Sequence, residues 1–327
     1  MTPATRQLRC TAALAAAALL GLPGAAQANM LDLGRYAAGS TTSHALDTLS
    51  GRGLEASAVT WARDRQSLFF VGDEGLGVVE ISTTGVTKGS MAFDWTGTGS
   101  SNNDAEGLTY LGQGQLVVVD ERPQIAYRFS YADGGSVVLN NQAKVAITGT
   151  SASVGNVGTE GISVDPRDGS FFSVKQDNPA QLRGGPLAFA VGGGTSGMTT
   201  LFTGPNGASS LFGLASLSDV QTLAGVDALA GTAAADNLLI LSLESKQLIE
   251  INRAGAVQSS LDLSALTTQA IEGVTIDERG VIYLVAESAG TAPSRLFVLT
   301  PVPEPGSWAL MAAGLLGLGA LARRQRR

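Results

Sequence analysis

The sequence predicts an all-β fold, and within that class a β-propeller of five or six blades. Short runs of β-forming residues recur between Gly, Asn and Asp turn residues, and the region between the chain ends lacks long segments with apolar residues at helical spacing. A unit made of an acid, a glycine and an apolar strand also repeats along the chain. The predicted strands are Ser67–Gly72, Gly77–Ser82, Gln115–Asp120, Ala126–Tyr131, Ser170–Val174, Asn237–Ser242, Gln247–Asn252, Val281–Ala286 and Leu296–Thr300.

The first 28 residues have the order of a cleavable secretory signal peptide. Arg6 and Arg9 precede an apolar run from Ala12 to Leu22. Ala26-Gln27-Ala28 then supplies the small residues that signal peptidase reads, so we expect cleavage after residue 28. A permanent anchor is the alternative, but the run is shorter than the roughly 20 residues of a membrane span. Cys10 is the only cysteine, so the mature chain would contain no thiol or disulfide.

Residues 302–327 have the composition of a sorting or anchoring tail. Pro303-Glu304-Pro305 precedes an apolar stretch from Trp308 to Ala322, and four arginines follow it. Such a basic end stays in the cytoplasm, which implies membrane contact through this segment before processing. The string VPEPGSWALMAAGLLGLGALARRQRR resembles the PEP-CTERM sorting signal of bacterial envelope proteins. The resemblance implies an exosortase-type protease that cuts near Pro-Glu-Pro and passes the protein to the outer envelope or extracellular matrix. A hydrophobic helix that only anchors the protein in the membrane is the alternative.

The region between these ends, residues 29–301, has a length that fits one all-β domain. It contains 15 basic and 27 acidic residues, because six of the basic residues and only one of the acids lie in the ends. An acidic surface repels a phosphate backbone, so we expect no nucleic-acid partner. Metal cations or neutral ligands suit this surface better.

The repeat has three complete copies, which begin at Glu106, Glu160 and Glu272. Each continues through a glycine, an apolar strand, a turn and a second strand to a polar residue 15 positions after the acid. Degenerate copies begin at Ser57 and Ala230, so the steps of about 42 to 70 residues match four-stranded blades with loop insertions. A twisted β-sandwich could also use two-strand units, but it would not place an acid at the same point of successive units.

Two further segments bear on the blade count. The longest step contains a glycine-rich stretch from Gly184 to Gly225, which hides either a sixth blade or a long excursion. The β-like stretch Met30–Tyr36 is expected to close the propeller by pairing with the strand at Leu296–Thr300.

Most of the chain from Leu54 to Leu299 resembles the SdiA-regulated family of exported bacterial propellers. The matching segments are EASAVTWARDRQSLFFVGDE, DAEGLTYLGQGQLVVVDER, GTEGISVDPRDGSFFSVKQDNP and AIEGVTIDERGVIYLVAES. The chain departs from the family pattern at Ala58, where glycine is usual, and in the glycine-rich stretch. The resemblance implies a propeller fold and leaves the biochemical function open.

The three repeated glutamates are the candidate metal ligands. The first strand of each propeller blade lines the channel, so Glu106, Glu160 and Glu272 are expected to converge around the axis. Two carboxylates about 6 Å apart repel by about 3 kcal/mol at an effective dielectric constant of about 20. Raised pKa values, Lys175 or a bound cation could compensate this repulsion. Calcium is the natural cation because it accepts six to eight oxygen ligands, and gluconolactonase-like propellers offer an analogy.

Residues at the ends of the second strands could form an outer layer around this site. They are Asp73, Glu121, Lys175, Glu244 and Glu287. In an alternative interpretation, the repeated glutamates bind no metal and each accepts hydrogen bonds from backbone N–H groups at the start of its strand.

Two functions remain open on this sequence. One is an exported module of the cell envelope that binds a ligand, such as a polysaccharide, or a protein partner. The other is a calcium-dependent hydrolase of the lactonase or phosphoesterase type. His44 is the only histidine and no G-x-S-x-G motif is present, which disfavours a Ser-His-Asp triad. Histidine-rich zinc or iron sites are excluded by the same count.

Overall fold

The protein folds into a five-bladed β-propeller. The structure is a computed structural model that describes residues 30–47, 49–100, 102–150, 153–205 and 210–302. The predicted signal peptide, residues 1–28, and the sorting tail from residue 303 onward lie outside the described residues. Among the described residues, no helix has both the length and the hydropathy needed to span a membrane. Helical structure there is confined to α1 (Gly34–Ala37) and to short 3-10 segments at Leu49–Gly51, Leu139–Asn141, Asp227–Leu229 and Ala233–Asp236.

Each blade is a sheet whose first strand contacts the first strands of its two neighbours around the channel. The strand β1 (Ser40–Ala45) precedes the first blade. Blade 1 contains β2 (Ala56–Ala62), β3 (Ser67–Gly72), β4 (Gly77–Ile81) and β5 (Thr87–Asp94). Blade 2 contains β6 (Ala105–Gly112), β7 (Gln115–Asp120), β8 (Ile125–Ser130) and β10 (Ala143–Ala146). Between β8 and β10 the chain forms β9 (Ser136–Val138), which pairs in parallel with β5 of blade 1.

The remaining blades follow the same order. Blade 3 contains β11 (Thr159–Val164), β12 (Phe171–Lys175) and β13 (Gln181–Gly185); an excursion forms β14 (Leu187–Ala188), β15 (Ala190–Val191) and β16 (Thr195–Ser196), and β17 (Thr199–Thr203) completes the blade. Blade 4 contains β18 (Asp219–Thr222), β19 (Leu238–Ser242), β20 (Gln247–Ile251) and β21 (Val257–Asp262). Blade 5 contains β22 (Ile271–Ile276), β23 (Ile282–Ala286), β24 (Arg295–Thr300) and β1.

The propeller is closed by β1, which pairs antiparallel with β24 from Ser40 opposite Thr300 to Ala45 opposite Arg295. The predicted closing strand, Met30–Tyr36, is therefore wrong. That segment runs into α1 and buries Leu31, Leu33 and Tyr36 between blades 4 and 5. Burying these apolar side chains between two blades stabilises the fold more than placing them in an exposed edge strand would. The strand β1 is instead rich in Ser and Thr, and its side chains are mostly exposed.

Four of the five predicted repeat starts coincide with the starts of inner strands β2, β6, β11 and β22. The start predicted at Ala230 is wrong, because the inner strand of blade 4 is β18 and begins at Asp219. Ala230 lies between two 3-10 segments in the long connection from β18 to β19. The longest step contains the excursion, the last strand of blade 3 and β18, so it hides no sixth blade among the described residues.

The core consists of five apolar clusters, one between each pair of neighbouring blades. On β7, Leu116 and Val118 pack toward blade 1, whereas Val117 and Val119 pack toward blade 3. Successive side chains of a strand point to opposite faces, so a strand that is covered on both faces needs a continuous apolar run. This requirement explains the uninterrupted runs of apolar residues from which the strands are predicted.

A ring of side-chain hydrogen bonds joins the inner strands near mid-channel. The hydroxyl oxygens of Thr60, Thr109 and Ser163 each accept a backbone N–H from the next blade, at 3.1, 3.2 and 3.1 Å. Thr275 likewise accepts the N–H of Trp61 at 3.1 Å, which continues the ring from blade 5 to blade 1. At the three earlier junctions the donors are the N–H groups of Tyr110, Val164 and Thr222. Between blades 4 and 5, the Thr275 hydroxyl donates instead to Gln221 Oε1 at 3.0 Å.

Candidate metal centre at one mouth of the channel

The inner strands begin at a β-bulge in four blades. The bulged residues are Ser57, Glu106, Glu160 and Glu272. A bulge leaves one residue without a partner in the ladder and re-aims its side chain. The repeated glutamates therefore occupy equivalent positions at one mouth of the channel, which we call the acidic mouth.

The three repeated glutamates influence one another's protonation. Burial raises the pKa of Glu106, and the charge of Glu272 raises it further. Burial also raises the pKa of Glu160, with smaller contributions from Glu106 and Glu272. Burial and the neighbouring Glu287 raise the pKa of Glu272 to about 9. The charges of the three glutamates that the repeat singles out are thus coupled, but among the described residues only Glu106 of the three has carboxylate neighbours at the spacing of a cation site.

Three of the predicted outer residues lie beside them, at the ends of second strands. The backbone N–H groups of Asp73 and Glu121 donate to the carbonyls of Glu55 and Asp104, both at 3.0 Å, and Glu287 makes the equivalent bond to Ala270 at 2.9 Å. These bonds hold each acid next to the start of an inner strand. The carboxyl groups of Glu121 and Glu287 lie beside those of Glu160 and Glu272, respectively, and in addition to burial their charges raise the pKa values of these two glutamates.

Lys175 occupies a different register from Glu121 and Glu287. Lys175 pairs with Thr159, just as Asp120 pairs with Ala105 in blade 2, so Lys175 is equivalent to Asp120. The residue equivalent to Glu121 is therefore Gln176, whose N–H donates to the carbonyl of Gly158. The hairpin between β11 and β12 is one residue longer, which shifts the position that a spacing of 15 reaches. The ammonium of Lys175 donates to the carbonyl of Asp177, and burial lowers its pKa while the charge of Asp177 opposes that shift.

Glu244 has an exposed side chain in the turn after β19. Its backbone N–H donates to Ser216 Oγ at 3.3 Å. No interaction between its carboxylate and the acids of the mouth is present among the described residues.

The acidic mouth also contains residues that the repeat does not indicate. Glu55 and Asp104 each lie two positions before a bulged residue, and Asp120 ends β7. The carboxylate of Asp104 forms an ion pair with Arg122 at 2.5 Å and has an oxygen within 4.8 Å of an oxygen of Asp73. Burial and Asp104 raise the pKa of Asp73 to about 7, against the effect of Arg122. An acid two positions before the bulge is the signal that could have identified Glu55 and Asp104.

Within the described residues, two trios of carboxylates have the spacing of a cation site. Glu55, Asp73 and Glu287 each offer an oxygen within 4.8 Å of the others, and so do Asp73, Asp104 and Glu106. Two oxygens on opposite sides of a calcium ion stand about 4.8 Å apart, twice the usual calcium–oxygen distance of about 2.4 Å. Asp73 belongs to both trios and is therefore the central candidate ligand.

The repeated glutamates do not cap their strands. Among the hydrogen bonds of the described residues, none joins a backbone N–H to the carboxylates of Glu106, Glu160 or Glu272. That capping role belongs to Glu121, whose Oε1 accepts the N–H of Gly158 at 2.7 Å. The glutamates at the bulges are thus left to interact with other acids.

The comparison with protein families agrees with this architecture. The family model described as SdiA-regulated matches residues 39–299, which include all five blades. The chain belongs to the SdiA-regulated family. A second model, the PEP-CTERM protein-sorting motif, matches residues 301–327 of this SdiA-regulated chain. That motif implies an exported protein that is processed by an exosortase.

Two solved structures are also similar to this SdiA-regulated propeller. One is the β-propeller domain of Cps50 (Swd1) from Myceliophteria thermophila, at 13% sequence identity and a TM-score of 0.36, with 77% of this chain and 70% of that chain covered. The other is a luciferin-regenerating enzyme, at 10% identity and a TM-score of 0.46, with 80% of this chain and 96% of that chain covered.

Proposed function

We propose that the acidic mouth binds a calcium ion, and that the protein acts in the cell envelope as a module that binds a ligand, such as a polysaccharide, or a protein partner. The observation that carries the calcium proposal is the position of Asp73. Its carboxylate has an oxygen within 4.8 Å of oxygens of Asp104 and Glu106, and it also shares this spacing with Glu55 and Glu287.

The charge balance supports a cation at this place. Nine acids gather at the mouth, and the cationic residues that interact with them in the described part of the chain include Arg122 and Lys175. Without a further cation, the site lowers its charge by holding protons, which is the physical meaning of the raised pKa values. A divalent cation would replace those protons. The nine acids are Glu55, Asp73, Asp104, Glu106, Asp120, Glu121, Glu160, Glu272 and Glu287.

The type of ligand atom favours calcium. All candidate ligands are carboxylate oxygens, and the chain's only histidine, His44, lies in β1. Zinc and copper prefer nitrogen or sulfur ligands, and magnesium requires near-octahedral geometry. Calcium accepts six to eight oxygens in flexible geometry, which suits an uneven set of Asp and Glu side chains.

A melting experiment tests the calcium site. The purified exported protein is stripped with a chelator and melted with and without added calcium chloride. At 100 times the dissociation constant, binding to the folded state alone adds about 2.7 kcal/mol, which corresponds to a rise in Tm of roughly 5–10 °C. Asp73→Asn should lose most of this rise, whereas Asp262→Asn, at an exposed carboxylate on β21, should keep it. Identical melts with and without calcium would refute the proposal.

One observation favours the alternative of a calcium-dependent hydrolase. Burial and the neighbouring Glu287 raise the pKa of Glu272 to about 9 in the metal-free protein, and Glu272 belongs to neither carboxylate trio, so it could hold a proton as a general acid beside a metal bound by other acids. Lactones and phosphoesters are the substrates to screen, with and without calcium. Calcium-dependent turnover that Glu272→Gln abolishes would establish the hydrolase. Calcium binding without turnover would leave the binding module.

We also propose that the mature protein begins at Asn29 and is processed near Pro303-Glu304-Pro305. The fold supports this proposal, because residues up to Val302 complete all five blades. Val302 itself is held to the body of the protein, since its carbonyl accepts two hydrogen bonds from the Arg35 guanidinium at 3.0 and 3.1 Å. The intact mass of envelope-isolated protein tests the proposal. A cytoplasmic species that retains Met1 would contradict it.

A further inference from the structure

A large cavity lies at the opposite mouth of the channel. Its volume is about 890 Å³, within the usual range for small-molecule sites. It is lined by the later residues of all five inner strands and by the hairpins that follow them. On β6, the lining begins at Thr109, three residues after Glu106, so about 10 Å of strand separates the cavity from the acidic mouth.

The innermost lining of this cavity offers hydrogen-bond donors. The hydroxyl oxygens of Thr60, Thr109 and Ser163 each accept one backbone N–H, and within the described chain none of the three hydroxyl protons has a protein acceptor. All three side chains belong to residues that are at most 5% exposed. Buried polar hydrogens of this kind are costly to leave unpaired, so the cavity suits a ligand that carries acceptor oxygens.

The cavity walls add aromatic surface and, among the described residues, no unpaired cation. Trp61, Tyr110 and Phe171 contribute to the lining. The charged lining residues have partners: Arg63 pairs with Asp227 at 2.9 Å, Asp64 accepts the Tyr110 hydroxyl at 3.1 Å, and Asp165 pairs with Arg167 at 2.7 Å. A phosphate would find no unpaired cation among these lining residues, and the negative charge of Asp64, which within the described chain accepts only from neutral donors, would repel it.

We infer that this cavity binds a neutral carbohydrate. Sugar hydroxyl and ring oxygens can accept the three hydroxyl protons, and the apolar face of a sugar ring can pack on an aromatic wall. The volume leaves room for more than one sugar ring. The inference rests on the proposed binding role of the protein but not on the calcium site, which lies at the other mouth.

Gly225 provides a way to block the cavity without disturbing the fold. It lines the cavity, its φ is not positive, and a Cβ added there would meet no atom within 4 Å. Gly225→Phe should therefore fill the cavity and leave the Tm unchanged. The matched control is Val86→Phe, which adds the same ring at a residue that is 64% exposed.

The test uses an array of immobilised neutral and anionic oligosaccharides of two to six sugars, probed with the purified exported protein. We expect retention of neutral oligosaccharides, at least tenfold weaker binding by Gly225→Phe, and no change for Val86→Phe. Thr109→Val should weaken binding about fivefold, the effect of one lost hydrogen bond, and Thr109→Ser should restore it. Because the serine variant keeps both the fold contact and the donor, this pair remains informative even if Gly225→Phe fails to fold.

Three outcomes would overturn the inference. They are no retention of any neutral oligosaccharide, retention of anionic oligosaccharides only, and equal binding by the wild type and Gly225→Phe. The array is probed both in calcium and in chelator. Retention in chelator would support the carbohydrate site even if calcium fails to bind, so the two proposals can fail separately.

Discussion

Asp219 Oδ2 accepts the backbone N–H of Val274 at 2.8 Å and thereby joins the inner strands of blades 4 and 5. Its Oδ1 accepts the N–H of Val220 at 2.7 Å, and the residue is 3% exposed. In blades 2, 3 and 5 the equivalent residue is glycine. The nearest of these, Gly161, makes room for Asp219, because a Cβ at Gly161 would overlap the Asp219 carboxylate.

Asp219→Asn should therefore weaken the junction between blades 4 and 5. The amide keeps an acceptor for one N–H group but places its own NH₂ against the other. Leaving a buried donor without an acceptor costs about 1–3 kcal/mol, so the free energy of unfolding in urea should fall by that amount. Asp168→Asn, in an exposed hairpin, is the matched control. Equal losses in the two variants would show that Asp219 has no special role.

The sequence indicates most of the fold because each blade must bury both faces of its sheet. The predicted bounds of β3 and β7 match the structure at both ends, and the starts at Ser57, Glu106, Glu160 and Glu272 are the inner-strand bulges. The inner strand of blade 4 could not be predicted from the repeat, because Asp219 replaces the repeated glycine and a long connection separates β18 from β19. The closing strand β1 could not be predicted either, because it is mostly exposed and lacks the apolar run by which the other strands are recognised.

The candidate site could be predicted only in part. Equivalent repeat positions place Glu106, Glu160 and Glu272 together, because inner strands of successive blades meet at the channel. The register of the second strands depends on hairpin length, which is why a spacing of 15 reaches Lys175 in place of Gln176. Asp104 approaches Asp73 from a neighbouring blade, and a contact of that kind has no signature in spacing.

Glu250 should fasten the N-terminal segment to the propeller. This buried carboxylate accepts the N–H of Leu31 at 2.8 Å, the Asn237 amide at 2.7 Å and the Ser259 hydroxyl at 2.9 Å. Glu250→Gln should cost about 1–3 kcal/mol, because its amide cannot accept at both ends. Hydrogen exchange of residues 30–37 should become faster. Glu244→Gln, at an exposed glutamate in the same blade, should change neither quantity.

The hydroxyl ring should contribute to stability at each junction between blades. Ser163→Ala removes the acceptor of the Thr222 N–H and leaves that buried donor unpaired. We expect the free energy of unfolding to fall by about 1–3 kcal/mol in urea titration. Ser163→Thr should retain most of the stability. Ser260→Ala, at an exposed position on β21, should be close to neutral, and a similar loss there would contradict the assignment.

The stability of the calcium-free protein should fall as pH rises. Burial raises the pKa of Asp73 to about 7 and that of Glu272 to about 9, whereas both groups titrate near pH 4 in an unfolded chain. Between pH 4 and these values the folded state holds protons that the unfolded chain has released. The contribution is thus fully present below about pH 4 and is lost as pH rises, by at most about 1.4 kcal/mol per pH unit for each group.

Calcium should reverse this loss, because it binds the deprotonated carboxylates and competes with the protons. The stabilisation by calcium should therefore be small at pH 5 and large at pH 9. Urea unfolding at pH 5, 7 and 9, in chelator and in calcium, measures both trends. Asp73→Asn should flatten the pH dependence below about pH 7 in chelator, since it removes one of the titrating groups. A calcium effect of equal size at pH 5 and pH 9 would show that the cation does not bind at the carboxyls whose pKa values are raised.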